Sequence, residues 1–182
     1  MTSDTLGAHG DTAGSGPLQV RTRSRWLGRG AWLVGLVVLA AAVGYVTTHP
    51  DELPTLQEPV AASTPVGQPV FVGVFHANAD FDRTLEISGI KVFAESTMPV
   101  EITPRLCRGG SLGVTSEPEV FCTELVDTEG ATMTAGDEVV LEVTADEPGV
   151  VGIDRIEVAY RDGLQWATQL AGSPAVVQVL SR

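Results

Sequence analysis

Residues 156–169 read IEVAYRDGLQWATQ, and the fold turns on how they are read. Ile156, Val158 and Tyr160 alternate with Glu157, Ala159 and Arg161. That is the period of a strand with one face buried and one face wet. Asp162-Gly163 then marks a hairpin turn. A two-residue turn there pairs Tyr160 with Gln165 and sends Tyr160 and Trp166 to opposite sides. A three-residue loop, Arg161-Asp162-Gly163, pairs Tyr160 with Leu164 and Val158 with Trp166, so that all four face the core. The second register is expected, with Gly163 left-handed in a bulge turn.

The same signature recurs on either side. Strands are expected over residues 70–76, 84–94, 99–106, 119–125, 138–145, 153–160, 164–170 and 175–180. Val139, Leu141, Val143 and Ala145 alternate with Val140, Glu142 and Thr144; Val100, Ile102 and Leu106 alternate with Glu101, Thr103 and Arg105. One-sided patterning of this kind suits antiparallel sheets packed face to face. Within 84–94 the phase changes: Leu85 and Ile87 are odd, Ile90 and Val92 even, with Gly89 at the switch. A β-bulge or a crossing between sheets would explain it. The expected fold of residues 69–182 is therefore all-β, an immunoglobulin-like antiparallel sandwich of about seven or eight strands.

Upstream of this segment the composition shifts three times. Residues 1–20 are rich in Gly, Ser, Thr and Asp without apolar periodicity, and are read as a disordered tail. Arg21, Arg23, Arg25 and Arg29 follow, completing an Arg-rich juxtamembrane segment that ends at residue 29. Gly30 to Thr48 is then a run of 19 residues without a charge. As a helix it would be ~28 Å long, close to a ~30 Å hydrocarbon core. Trp26, Trp32 and Tyr45 lie near its ends, as interfacial aromatics do. One transmembrane helix over 30–48 is expected. The arginines on its N-terminal flank place the N-terminus in the cytoplasm and the rest outside. A rival reading is a signal peptide cleaved after Ala42, within the Ala40-Ala41-Ala42 run. Residues 49–68 carry Pro50, Pro54, Pro59 and Pro65 and are read as a stalk.

Charge narrows the function classes. The chain has 11 Lys+Arg against 23 Asp+Glu, a net −12, which argues against nucleic-acid binding. Residues 51–182 hold 7 Lys+Arg and 21 Asp+Glu, a net −14. Basic protein surfaces or cations suit such a domain better than anionic lipid or acidic polymers. Cys107 and Cys122 lie in the exported part and flank a Gly/Ser/Thr-rich loop, so a disulfide between them is expected. Their separation is unlike that of an immunoglobulin inter-sheet bridge, which spans most of the domain. No CxxC or HExxH sequence occurs. His76 is read as a polar strand-end residue rather than a general base, and no cofactor is expected. Asp80 and Asp82, with Asn78, cluster hard oxygen ligands, and Asp146-Glu147 and Asp137-Glu138 sit at other loop edges. These are weak calcium candidates, because no segment has the EF-hand spacing.

In layout the chain resembles the single-pass, exported β-domain proteins of high-GC Gram-positive bacteria. The Arg-rich start with its Ala/Gly/Val span carries the resemblance. So do the single lysine, Lys91, and the Val/Glu/Gly-rich segment ending in IEVAYRDGLQWATQ. The resemblance implies no activity. The expected function is a non-catalytic, membrane-anchored, extracytoplasmic module that binds another envelope protein. A cation- or small-ligand-sensing domain is the alternative.

Overall fold

A computed structural model describes residues 25–48 and 50–181, with side chains for 32–45 and 50–181. The expected tail over 1–20, and His49, lie outside the described residues. Residues Arg25–Thr48 form helix α1, which begins before the charge-free run. Its described side chains, from Trp32 to Tyr45, are all exposed. Among the described residues no helix is long and apolar enough to cross a membrane.

From residue 60 onward the chain is almost wholly β. Strands β1 (Val60–Pro65), β2 (Val70–His76), β3 (Leu85–Lys91), β4 (Ala94–Ser96) and β5 (Glu101–Arg108) come first. A disulfide-closed loop follows, holding β6 (Val114–Thr115) and a 3-10 turn, Pro118–Val120. Then come β7 (Glu124–Asp127), β8 (Thr132–Met133), β9 (Glu138–Thr144), β10 (Gly149–Ile153), β11 (Ile156–Asp162), β12 (Gln165–Ala171) and β13 (Ala175–Leu180).

One layer is a five-stranded sheet, β6-β2-β9-β5-β7. Two four-stranded ladders, β12-β11-β3-β8 and β1-β13-β10-β4, form the rest. They are continuations of one another: β3 runs into β4, β10 into β11 and β12 into β13 across gaps of two or three residues. At the third gap Gly172 turns with φ 74 and Pro174 removes a donor, which bends the sheet. Side chains from every layer meet in one core. Val72, Leu141, Ile87, Val158, Tyr160 and Val177 are nearly or wholly inaccessible within it. The architecture is sandwich-like, as the alternating patterns predict.

The phase change in 84–94 is a bulge. Ala159 pairs with Gly89 but Tyr160 pairs with Ile87, leaving Ser88 extra. Ile87 and Ile90 thereby face the same core despite their opposite parity.

Three expectations are corrected. The stalk expected over 49–68 is largely part of the fold. Leu53 is buried, the Leu56 N–H donates to Gly172 O (3.0 Å), and β1 runs parallel to β13. Pro59 and Pro65 suggested a spacer, but proline is compatible with a sheet edge, where β1 lies. The strand expected over 119–125 is instead the 3-10 turn followed by β7, because Pro118 starts a turn and Cys122 is tied to Cys107. The strand expected over 153–160 divides into β10 and β11; the glycines of Gly149-Val-Val-Gly152 hid β10.

Candidate functional site

The β11–β12 hairpin closes through a two-residue loop, Gly163-Leu164, with Gly163 at φ 57. Asp162 pairs with Gln165, Arg161 with Trp166 and Tyr160 with Ala167. This corrects the expected three-residue loop. Val158 and Tyr160 face the core, but Leu164 and Trp166 do not: they are 81% and 65% exposed. A two-residue loop with glycine at positive φ matches the strand twist without a bulge. Pairing with Arg161 then fixes Trp166 on the outer face.

A web of side chains holds this hairpin from below. The Arg83 guanidinium donates to Asp162 Oδ2 (2.8 Å), to the Tyr160 hydroxyl oxygen (3.0 Å) and to Asp51 O (3.0 Å). It also lies over the Tyr160 ring. Burial opposes its charge, but the bonds to Asp162 and Tyr160 outweigh that and raise its pKa. The Tyr160 hydroxyl donates onward to Gln169 Oε1 (3.1 Å), which also accepts the Leu53 N–H (3.0 Å).

Above the sheet, Arg161 organises the wet face. Its guanidinium lies 5.6 Å from the Trp166 ring centroid, donates to Gly163 O (2.7 Å) and pairs with Glu86 (3.5 Å). Ladder pairing sets Trp166, Arg161 and Glu86 in one row, and Leu170, Glu157 and Lys91 in another. Between the rows lie Thr168, Ala159 and Gly89, and a side chain at Gly89 would meet nothing within 4 Å. The result is a shallow trough with a braced aromatic on one wall and charges of both signs around it. Trp and Arg dominate binding energy at protein interfaces.

A second built feature is the loop closed by Cys107–Cys122, the disulfide expected from the sequence. It covers part of the outer face of the five-stranded sheet and makes a small separate core with Phe71, Leu112 and Val140. Two carboxylates anchor it. Asp137 Oδ1 accepts the Gly109 N–H (3.0 Å), and Oδ2 accepts the Thr134 N–H (2.9 Å) and hydroxyl (3.1 Å). Glu138 Oε2 accepts the Leu112 N–H (2.6 Å). Both residues, read as loop-edge ligand candidates, are turned inward: Glu138 onto loop backbone, and Asp137 onto loop backbone and the turn at Thr134. Val140, on the polar side of the β9 alternation, is buried because the loop covers it.

Burial pushes the Glu138 carboxyl up to about 7, although Leu112 and Ser111 bond its charged form. A carboxyl raised in the folded state favours folding below its unfolded value near 4.5, and that advantage is lost as pH rises through about 7. The loss is about 3 kcal/mol across the window. Glu138→Gln keeps the acceptor and removes the titration. Melting of wild type and Glu138→Gln at pH 5 and pH 8 tests this: the variant should gain on wild type by about 3 kcal/mol at the higher pH. Parallel pH dependences would contradict it.

The calcium candidates are not brought together. Asp80 and Asp82 lie exposed in the loop between β2 and β3, and Asp82 lines an open depression with Asp51, Arg83 and Asp162. Asp146 and Glu147 line a different one beside Val100 and Glu101. Among the described residues no group of three His, Cys, Asp or Glu side chains is placed to hold a metal ion. His76 is exposed at the end of β2, as read. Compared with known proteins, the chain matches no family model, no curated protein and no solved structure. Its functional reading therefore rests on its own residues.

Proposed function

We propose that the chain is a membrane-anchored, non-catalytic module that binds another protein of the cell envelope, outside the membrane, through the Trp166 face. The observation that carries the reading is an exposed Trp166 braced by Arg161 on a rigid sheet. Such a residue offers a large apolar contact at little entropic cost, because its rotamer is already held. A net charge of −14 over residues 51–182 favours a partner with a basic surface.

Two features support the location. The described side chains of α1, among them Trp32, Leu33, Leu36, Leu39 and Tyr45, are exposed, as a lipid-facing surface would be. The Cys107–Cys122 bond suits an oxidising compartment. Arginines before the charge-free run then put the N-terminus in the cytoplasm. We also read the β part as immunoglobulin-like. The order β5-β9-β2 in one layer and β3-β11-β12 in the other has the arrangement of the D-E-B and C-F-G strands of that fold, which supports the reading.

The test is cross-linking of the tagged full-length chain in membranes of its host, followed by identification of what co-purifies. One recurrent envelope protein is expected. Trp166→Ala should weaken its binding by about thirtyfold, the effect of losing a hot-spot side chain, with little change in melting temperature. Equal recovery with Trp166→Ala would remove this face from the interface. Recovery of nothing above background would count against the interaction reading, and a melting temperature raised by millimolar calcium would favour ion sensing. Alkaline extraction of the same membranes should leave the chain in the pellet; release into the supernatant would refute the anchor.

A further inference from the structure

The outer faces of the sheets differ sharply. The disulfide loop covers part of that of the five-stranded sheet, beside the ion-paired Arg105, Asp127 and Glu142, and that of β12-β11-β3-β8 is lined with Arg161, Glu86, Glu157 and Lys91. The outer face of β1-β13-β10-β4 is bare and nearly uncharged. Across it, Ala61 pairs with Val176, Val176 with Gly152, and Gly152 with Glu95. In the next row Gln178 stands between Ser63 and Val150. Val150, Val176 and Leu180 are each more than 40% exposed, and Glu95, at one border, is the only charge in these rows.

We infer that this face is where a second copy of the chain docks, sheet against sheet. The argument is electrostatic. Two copies each carrying −14 over residues 51–182 repel wherever their charged surfaces meet. The nearly uncharged face lets them approach with Glu95, at its border, as the one like charge in these rows, whereas a basic partner would gain more from the acidic surfaces. The small residues Ala61, Ser63 and Gly152 flatten the face, and stacked sheets need to approach to about 10 Å. Four strands at ~4.8 Å spacing and about six residues of rise make a patch of about 20 Å by 20 Å, or ~400 Å². That is about half of a standard interface per partner, so the association should be weak and reversible. The inference rests on this face and its charge, not on the Trp166 reading.

The test uses the full-length chain in mild detergent. Cys107 and Cys122 are bonded to each other, and the chain has no other cysteine, so an added thiol is unique. Gln178→Cys marks the centre of the neutral face, and Thr168→Cys marks the trough beside Trp166. Each is treated with a short bismaleimide, which joins two thiols within its reach. The expected result is a covalent dimer for Gln178→Cys well above that for Thr168→Cys. Adding Val176→Glu to Gln178→Cys should cut its yield by about tenfold, since two carboxylates would then face each other in the contact. Val176 is exposed, so that variant should melt as its parent does. No dimer at Gln178→Cys, equal dimer at both positions, or a yield indifferent to Val176→Glu would each overturn the inference. Anchoring through α1 alone would bring both thiols together equally.

Discussion

Replacing Gly172 by alanine is expected to cost at least ~4 kcal/mol, lowering the melting temperature by roughly 15 °C or preventing accumulation of folded protein. Gly172 sits between β12 and β13 at φ 74, where a side chain is strained whatever the space. A Cβ there would also overlap Val74 O, a backbone atom of the opposite layer that cannot move aside. The Gly172 N–H donates to Pro54 O (2.9 Å), and its carbonyl accepts the Leu56 N–H (3.0 Å). The neighbouring Ser173 N–H donates to Val74 O (2.8 Å), so a shift here disturbs three segments together. Gly67→Ala is the control. Gly67 has nearly the same φ, 73, but nothing lies within 4 Å of its would-be Cβ. It should cost only ~1 kcal/mol, the conformational part alone. Equal losses in thermal melts of the two variants would show that the close approach to β2 is not what constrains Gly172.

Removing the disulfide, by reduction or as the double variant Cys107→Ala, Cys122→Ala, is expected to cost ~3 kcal/mol from the entropy of the opened loop. That corresponds to roughly 10 °C in melting temperature. The consequence reaches further than the loop, because its backbone donates one bond to Asp137 and one to Glu138 and its Leu112 covers Phe71 and Val140. Once the loop lifts, Glu138 is no longer buried, and the cause of its raised pKa is gone. The disulfide and the pH dependence should therefore disappear together. Melts of oxidised and reduced protein, with and without Glu138→Gln, at pH 5 and pH 8 check this. The difference between wild type and Glu138→Gln should grow by about 3 kcal/mol with pH only in the oxidised protein. A difference that survives reduction would mean that the sheet, not the loop, buries Glu138.

Much of the fold was legible in order along the chain. The alternation of Val139, Leu141 and Val143 with their neighbours is a local signal. It locates β9 and names its core face, because a strand's side chains must alternate. Gly89 between two phases was likewise legible as a bulge or a crossing between sheets, which the structure resolves as a bulge, and the position of Cys122 after a Gly/Ser/Thr-rich loop pointed to Cys107. What escaped was each feature decided by a second segment. β1 has little pattern of its own and becomes a strand only by pairing with β13, more than a hundred residues later. Val140 and Glu138 read as the wet side of β9 until the disulfide loop is laid over them. The direction of Trp166 depended on whether the hairpin loop has two residues or three, a difference of one position that reverses every side chain of β12.

By itself, then, the sequence determined that this is a β protein with a single disulfide, where most of its strands lie, and that a charge-free run of 19 residues precedes it. Periodicity, turn residues and composition are properties of neighbours in the chain, so they can be read there. Which strands share a face, that Asp137 and Glu138 anchor a loop, and that one sheet face is left nearly bare of charge while another presents Trp166 emerge only in the packed fold. Those are relations between residues distant in sequence, set by register and by what covers each face, and no local pattern encodes them.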